Sequence, residues 1–173
     1  MITVTVQDNK TISQEYYDSI VNSLQLHQLT CFCGHSACLV IHGYYIRRVL
    51  LPEGVLYLRI LRVKCTECGR THAILLSSLV PYSWIRLSDQ TIIIAACEDG
   101  TDRNAVCDQN PFIDENHIKS VIRRYVRHWM QRLLSEGIHL APVSDLVRKC
   151  FAVYSMQFMQ IRRTSNILYS NTT

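Results

Sequence analysis

The chain has 173 residues, of which 48% are hydrophobic, and a formal net charge of +4. This length and apolar content suit one domain or two small ones and exclude an intrinsically disordered chain. The first residues lack the basic region and apolar run of a secretory signal, and the longest apolar stretch, 91–97, is far too short to span a membrane. We therefore predict a cytoplasmic protein without a membrane partner, in which clustered cysteines bind metal rather than form disulfides.

The first 30 residues predict a strand followed by a helix. Ile2, Val4 and Val6 alternate with threonines, which is typical of a short strand. Ser13 is a candidate N-cap for a helix that runs to about residue 25. Acidic residues slightly outnumber basic ones here, so we assign this segment a packing role and no role in binding a polyanion.

Two cysteine clusters flank a predicted β-hairpin. Residues 39–51 and 55–64 are rich in branched and aromatic side chains, and the Pro-Glu-Gly at 52–54 between them is a turn signal. An interruption is expected near Gly43. The hairpin would bring CFCGHSAC, which begins at Cys31, beside the downstream CTECG.

The two clusters predict a structural zinc site of the zinc-ribbon type. Such sites use four thiolates, two from each of two loops, and leave no coordination position for water. The downstream ligands are Cys65 and Cys68, and Cys33 is the firmest upstream ligand because Gly34 follows it as Gly69 follows Cys68. For the fourth ligand we favour Cys31, with Cys38 or His35 as the alternatives. Cys97, Cys107 and Cys150 each lie alone in helical sequence and are expected to be ordinary buried residues.

From Ser88 the apolar periodicity becomes helical. The predicted helices begin after candidate caps at Ser88, at Thr101 or Asp102, at Asp114 and at Ser144, and end near residues 98, 109, 136 and 163. The fold class is therefore α+β, a small zinc-ribbon hairpin unit followed by a helix-turn-helix-like bundle. The predicted organisation is an N-terminal strand and helix (1–30), a zinc ribbon (31–80), a helical domain (84–163) and a flexible tail (164–173).

Two basic surfaces are candidates for nucleic-acid binding. On the hairpin, arginines alternate with tyrosines, which suits phosphate contact and base stacking. In the long predicted helix, basic residues recur without an acidic residue between His117 and Leu134, as in the recognition helix of a helix-turn-helix. The candidate residues are Tyr44, Arg47, Arg48, Arg59, Arg62, Lys119, Arg123, Arg124 and Arg127.

The segments CGHSACLVIHGYYIRR and LRILRVKCTECGRTHAILLSSLVPYS resemble an uncharacterised bacterial family of short, transposon-associated proteins. They are similar to the N-terminal zinc-ribbon and helix-turn-helix regions of insertion-sequence transposases. The first cysteine pair is one residue shorter than the C-P-x-C-G of that wider set. The resemblance implies a mobile-element context and no agreed activity.

Together these features predict a DNA-binding protein of mobile-element origin that is not an enzyme. After the predicted recognition helix the chain has one acidic residue beyond Gly137, Asp145, which cannot supply the three carboxylates of a transposase nuclease. The alternative is a protein-interaction or dimerisation module of a transposition or phage system. Its docking surface would include Tyr154, Met156, Phe158, Met159 and Ile161. No small-molecule substrate is expected.

Overall fold

The computed structural model describes residues 1–7, 10–161 and 166–170. The fold is α+β, as the sequence predicts, with a five-stranded sheet and six α-helices among the described residues. The strands are β1 (Ile2–Thr5), β2 (Leu39–Leu51), β3 (Gly54–Cys65), β4 (Thr71–Leu76) and β5 (Ile167–Ser170). The helices are α1 (Gln14–Ser23), α2 (Leu87–Glu98), α3 (Arg103–Gln109), α4 (Glu115–His128), α5 (Met130–Ser135) and α6 (Val143–Tyr154).

The sheet has the strand order β2-β3-β4-β1-β5. Strands β2, β3 and β4 form an antiparallel meander, whereas β1 pairs in parallel with β4 on one side and with β5 on the other. Strands from the predicted N-terminal segment, ribbon and tail thus belong to one sheet. The predicted flexible tail is wrong for Ile167–Ser170, because β5 pairs with β1 there, and residues 162–165 and 171–173 lie outside the described part.

The β2–β3 hairpin follows the predicted boundaries closely. The expected interruption is a β-bulge, since the pairing shifts between Ile41 and Gly43 and leaves His42 as the extra residue. Gly43 has a φ of +134°, a conformation that other residues rarely adopt. The bulge reverses the alternation of the strand, so that Tyr44, Ile46 and Arg48 lie on the exposed face of the hairpin.

The core has a sheet part and a helical part. Helix α1 packs its Tyr17 against the sheet, and Leu24, which follows the helix as its C-cap, belongs to the cluster that also contains the cysteines. The helical part surrounds Trp129, which is fully buried and makes edge-to-face contacts with Tyr154 and Phe158 at centroid distances of 5.7 and 5.2 Å. Among the described residues, no helix has the length and apolar character needed to cross a lipid bilayer.

Several predicted helix boundaries need correction. The long predicted helix to residue 136 divides at Trp129, whose backbone leaves the helical conformation between α4 and α5. Neither Ser88 nor Ser144 is an N-cap, because α2 begins after Arg86 and α6 after Pro142. The last helix ends at Tyr154, well before its predicted end at residue 163, which lies outside the described residues.

Candidate metal centre and basic surfaces

Each cysteine pair lies on a tight turn that two backbone hydrogen bonds close. Upstream, the Gly34 N–H donates to the Cys31 carbonyl at 2.9 Å, and the Cys31 N–H donates to the carbonyl of His35 at 2.9 Å. Downstream, the Gly69 N–H donates to the Cys65 carbonyl at 3.0 Å, and the Cys65 N–H donates to the carbonyl of Arg70 at 2.9 Å. The two turns are thus the same arrangement, one residue shorter upstream, which accounts for the irregular first pair.

The four predicted sulfurs come together at these turns. The Sγ atoms of Cys31 and Cys68 are 3.7 Å apart, as are those of Cys33 and Cys65, and all four lie within 4.8 Å of one another. These separations exclude disulfide bonds. A tetrahedral ion with Zn–S bonds of about 2.3 Å would hold its sulfurs about 3.8 Å apart. The four cysteines therefore can hold a metal ion, and their spacing fits zinc.

Local hydrogen bonds prepare two of the thiols to act as thiolates. Hydrogen bonding from the backbone of His35, and next from its imidazole, lowers the pKa of Cys33 to about 6. The Cys68 N–H lies 3.5 Å from the Cys65 sulfur and lowers the pKa of Cys65. Burial raises the pKa of Cys31 to about 12, so this thiol needs the charge of a bound cation to lose its proton.

The alternative ligands lie beside the centre. Cys38 is buried, and its thiol donates to the carbonyl oxygen of His35 at 3.1 Å. The imidazole Nδ1 of His35 lies 3.4 Å from the Cys33 sulfur. Both residues therefore contact the turn that carries Cys33, whereas Cys31 completes the set of four sulfurs.

His72, on β4, belongs to this centre and was missed as a site residue. It is 2% exposed, and its Nε2 lies 3.3 Å from the Cys31 sulfur, a distance at which a ring N–H can donate to a thiolate. Its Nδ1 lies 3.2 Å from the amino nitrogen of Met1. Burial, and next the nearby amino group, lowers the pKa of His72 to about 4. Its place four residues after Cys68 was the available sequence signal.

The exposed face of the hairpin carries alternating arginine and aromatic side chains. The Arg59 guanidinium lies over the Tyr44 ring at 4.8 Å, and the Arg48 guanidinium lies 5.8 Å from the ring of Tyr57, its cross-strand partner. Tyr44 is 51% and Tyr57 57% exposed. Three predicted contact residues, Tyr44, Arg48 and Arg59, are therefore accessible together.

Arg47 and Arg62 lie on the other face of the hairpin. The Arg47 guanidinium donates to the backbone carbonyls of Val80 and Ser83, in the latter case at 2.7 Å, and burial lowers its pKa. Arg47 thus secures the loop at 80–84 and is not an open phosphate contact as predicted. Arg62 is partly exposed and lies 3.4 Å from the hydroxyl of Thr71.

Helix α4 presents part of its predicted basic surface to solvent. Asn116, Ser120, Arg123 and Arg127 recur at helical spacing and are all exposed. Lys119 pairs with Glu115 at 2.7 Å, which reduces its free charge. Arg124 is partly buried, lies 3.5 Å from the Met159 carbonyl and has its pKa lowered by burial. Arg123 and Arg127 are therefore the open cations of this surface.

Trp84 joins the hairpin surface to α4, a role that a single tryptophan after a turn did not allow us to predict. Its ring lies 5.0 Å from the Arg48 guanidinium and 5.8 Å from the His117 ring in the first turn of α4. The Leu50 N–H donates to the Trp84 carbonyl at 2.8 Å and fixes this position. The two predicted basic surfaces are thus neighbours.

The docking surface predicted for a protein partner is wrong in its main residues. Met156, Phe158 and Met159 are at most 2% exposed and belong to the helical core. The Tyr154 hydroxyl donates to the carbonyl of Arg132. Ile161 is 47% exposed, so of the apolar residues in this set it alone offers an open surface.

Compared with protein-family models, with curated proteins and with solved structures, the chain matches none of them. The resemblance to transposase regions therefore stays a prediction from the motifs.

Proposed function

We propose that the protein binds DNA through the hairpin surface and α4, and that zinc bound by the four cysteines is structural. The zinc would be held by Cys31, Cys33, Cys65 and Cys68, which close its coordination shell with thiolates and leave no position for substrate. The metal would fix the two ends of the hairpin, and so the direction in which Arg48 and Arg59 point.

The observation that carries the DNA proposal is the continuity of the two surfaces at Trp84. Arg48 and His117 both lie against its ring, so one nucleic acid can contact the hairpin and α4 together. In this proposal α3 and α4 act as a helix-turn-helix, and α4 enters a major groove with Arg123 and Arg127 toward phosphates or bases. The exposed guanidiniums on the hairpin extend the contact along the backbone.

A salt titration of the zinc-loaded full chain against a pool of duplex DNA tests this proposal. We expect the affinity to fall steeply as salt rises, because each neutralised phosphate releases a counterion. Replacing Arg123 and Arg127 together by alanine should weaken binding at least about tenfold and lower the salt slope by about two.

The matched control removes two exposed positive charges from α6, as Arg148→Ala with Lys149→Ala. This control should bind duplex DNA like the parent protein. Binding that is absent or independent of salt for every DNA pool would refute the proposal, as would an equal loss in the control.

A further inference from the structure

A cleft lies next to the exposed face of the hairpin, and Arg48 and Trp84 form part of its lining. Its volume is about 930 Å³, at the upper end of the range for small-ligand sites. Its walls are β2, the end of β3, β4 and the loop at 81–84. The cleft is thus separate from α4 but adjoins the surface assigned to DNA.

The positive charge of the cleft favours an anionic ligand. Four arginines line it, and none of the described lining residues is aspartate or glutamate. Arg47 donates to carbonyls of the loop. Arg48 and Arg70 are exposed to solvent, and Arg62 is partly exposed. A phosphate group is the common biological anion that guanidinium groups bind with good geometry.

The loop at 81–84 adds aromatic surfaces to the same cleft. Tyr82 is 74% exposed and has a φ of +58°, a left-handed conformation that turns the chain sharply at this point. Trp84 is 44% exposed. Large aromatic side chains exposed beside arginines provide stacking surfaces for a planar ring.

The loop is held in place before any ligand binds. Arg47 donates to the carbonyls of Val80 and Ser83. The buried side chain of Gln90 donates to the Ser83 hydroxyl at 3.0 Å and to the Ile85 carbonyl at 2.8 Å. Such preorganisation reduces the entropy cost of binding.

We propose that this cleft binds a single unpaired nucleotide, with its phosphate on Arg48, Arg62 and Arg70 and its base stacked on Tyr82 next to Trp84. The nucleotide is either a free nucleotide or part of a single strand. The second alternative depends on the DNA-binding function proposed above. The cleft would then hold a strand end or an extruded nucleotide next to a duplex on α4.

Tryptophan fluorescence of the zinc-loaded full chain tests the proposal, because Trp84 is exposed and Trp129 is buried. The probes are a short oligothymidylate, free thymidine and adenosine monophosphates, and inorganic phosphate. We expect the nucleotide probes to quench the emission, Trp84→Phe to remove the quenching, and phosphate alone to leave it unchanged. A strand that binds far more tightly than a monophosphate identifies the strand as the source, and equal affinities identify the free nucleotide.

Tyr82→Ala should weaken nucleotide binding about tenfold, the usual effect of losing one base–aromatic stack. Its control is Ile92→Ala, because Ile92 is also exposed but lies outside the cleft and outside both surfaces assigned to DNA. Both side chains are open to solvent, so both variants should fold. Arg62→Ala with Arg70→Ala should weaken binding of every nucleotide probe.

These experiments distinguish failure of the cleft proposal from failure of the DNA-binding proposal. Salt-dependent duplex binding without quenching by any nucleotide would overturn the cleft assignment and leave the DNA proposal standing. The cleft assignment would be supported if Tyr82→Ala weakened the quenching and Arg123→Ala with Arg127→Ala left it unchanged. This support would hold even if the protein did not bind duplex DNA. Equal binding by Tyr82→Ala and the parent protein would overturn it.

Discussion

The hydroxyl of Tyr17 takes the place of a strand-to-strand hydrogen bond between β3 and β4. It accepts from the Leu61 N–H and donates to the Ile74 carbonyl, both at 2.9 Å, where direct pairing of the two strands would otherwise continue. The pairing of β3 with β4 covers 62–64 and 71–73 and stops at this point. One side chain of α1 therefore separates the two strands and fixes the helix against the sheet.

Tyr17→Phe should lower the free energy of unfolding by about 2–4 kcal/mol, because it leaves two buried backbone groups without a partner. Urea unfolding followed by circular dichroism measures this change. Tyr16→Phe is the control, since Tyr16 is only partly buried and should change stability little. Equal stability of the parent protein and Tyr17→Phe would show that water satisfies both groups.

At single positions, the sequence patterns identified candidate binding residues better than they identified the face of the strand on which each side chain lies. Arg47 and Arg48 are adjacent in the sequence and were both predicted to contact nucleic acid. In the structure, Arg47 donates to a loop carbonyl, whereas Arg48 is exposed to solvent. Strand alternation carried this information, because Arg47 shares a face with the buried Val49. For Tyr17 no local signal exists, because its two partners are more than 40 residues away along the chain.

Among the elements, α4 depends on its N-cap. The Asp114 carboxylate accepts from the His117 N–H at 2.8 Å, and its second oxygen lies 2.6 Å from the His117 Nδ1. The hydrogen bond from the backbone of His117 lowers the pKa of Asp114, as expected for a cap that is bound as a carboxylate. The same residue thus begins α4 and orients the ring that contacts Trp84.

Asp114→Ala should lower the free energy of unfolding by about 1 kcal/mol, the usual cost of removing an N-cap. Asp114→Asn is the matched control, because an amide oxygen can still accept from the His117 N–H and should retain most of the stability. Thermal unfolding of the three proteins under one condition measures the difference. An alanine variant as stable as the asparagine variant would contradict the capping role.

The start of a helix was predictable where the N-cap side chain accepts a hydrogen bond from a residue two or three positions later. Ser13, Asp102 and Asp114 all accept hydrogen bonds in the first turn, as their positions in the sequence indicated. The break at Trp129 was not predictable, since no glycine or proline marks it. The break coincides with a long-range contact, because the buried Trp129 Nε1–H donates to the Gln160 carbonyl at 3.1 Å.

In the whole molecule, the cysteine centre connects the turn before β2 to the turn after β3. Cys31 follows the short 3-10 helix at Leu26–Gln28, and Cys65 ends β3. The Thr66 N–H also donates to the Cys38 carbonyl at 2.8 Å, so the two turns contact each other directly. A metal ion here would hold the turn before β2 to the turn after β3, and so hold the two ends of the hairpin together.

Removing the metal with a chelator should therefore lower the melting temperature and loosen the hairpin, since metal-binding free energy is folding free energy at such a site. The zinc-loaded protein should contain one zinc ion per chain by elemental analysis. Cys68→Ser should lose this zinc, whereas Cys38→Ser should keep it. Zinc retained in Cys68→Ser, or lost in Cys38→Ser, would assign the ligands differently.

The pairing of strands that are distant in the sequence could not be predicted from the sequence. The hairpin and the cysteine set depend on residues close in sequence or on a turn between them, and these predictions agree with the structure. The parallel pairing of β1 with β4 and β5 joins distant segments, and a period-two pattern does not say which strand is the partner. The last strand was mistaken for a tail because ILYS is too short to signal a strand alone.

The central place of β1 has a consequence for biosynthesis. Ile2 pairs with Ile74 on one side and with Ile167 on the other. As the ribosome makes the chain, β1 can join β4 early, but its second edge stays unpaired until β5 has been translated. An unpaired edge strand is a template for aggregation. Nascent chains that stall after β4 would therefore carry an open, aggregation-prone edge, and long-range pairing of this kind slows the final step of folding.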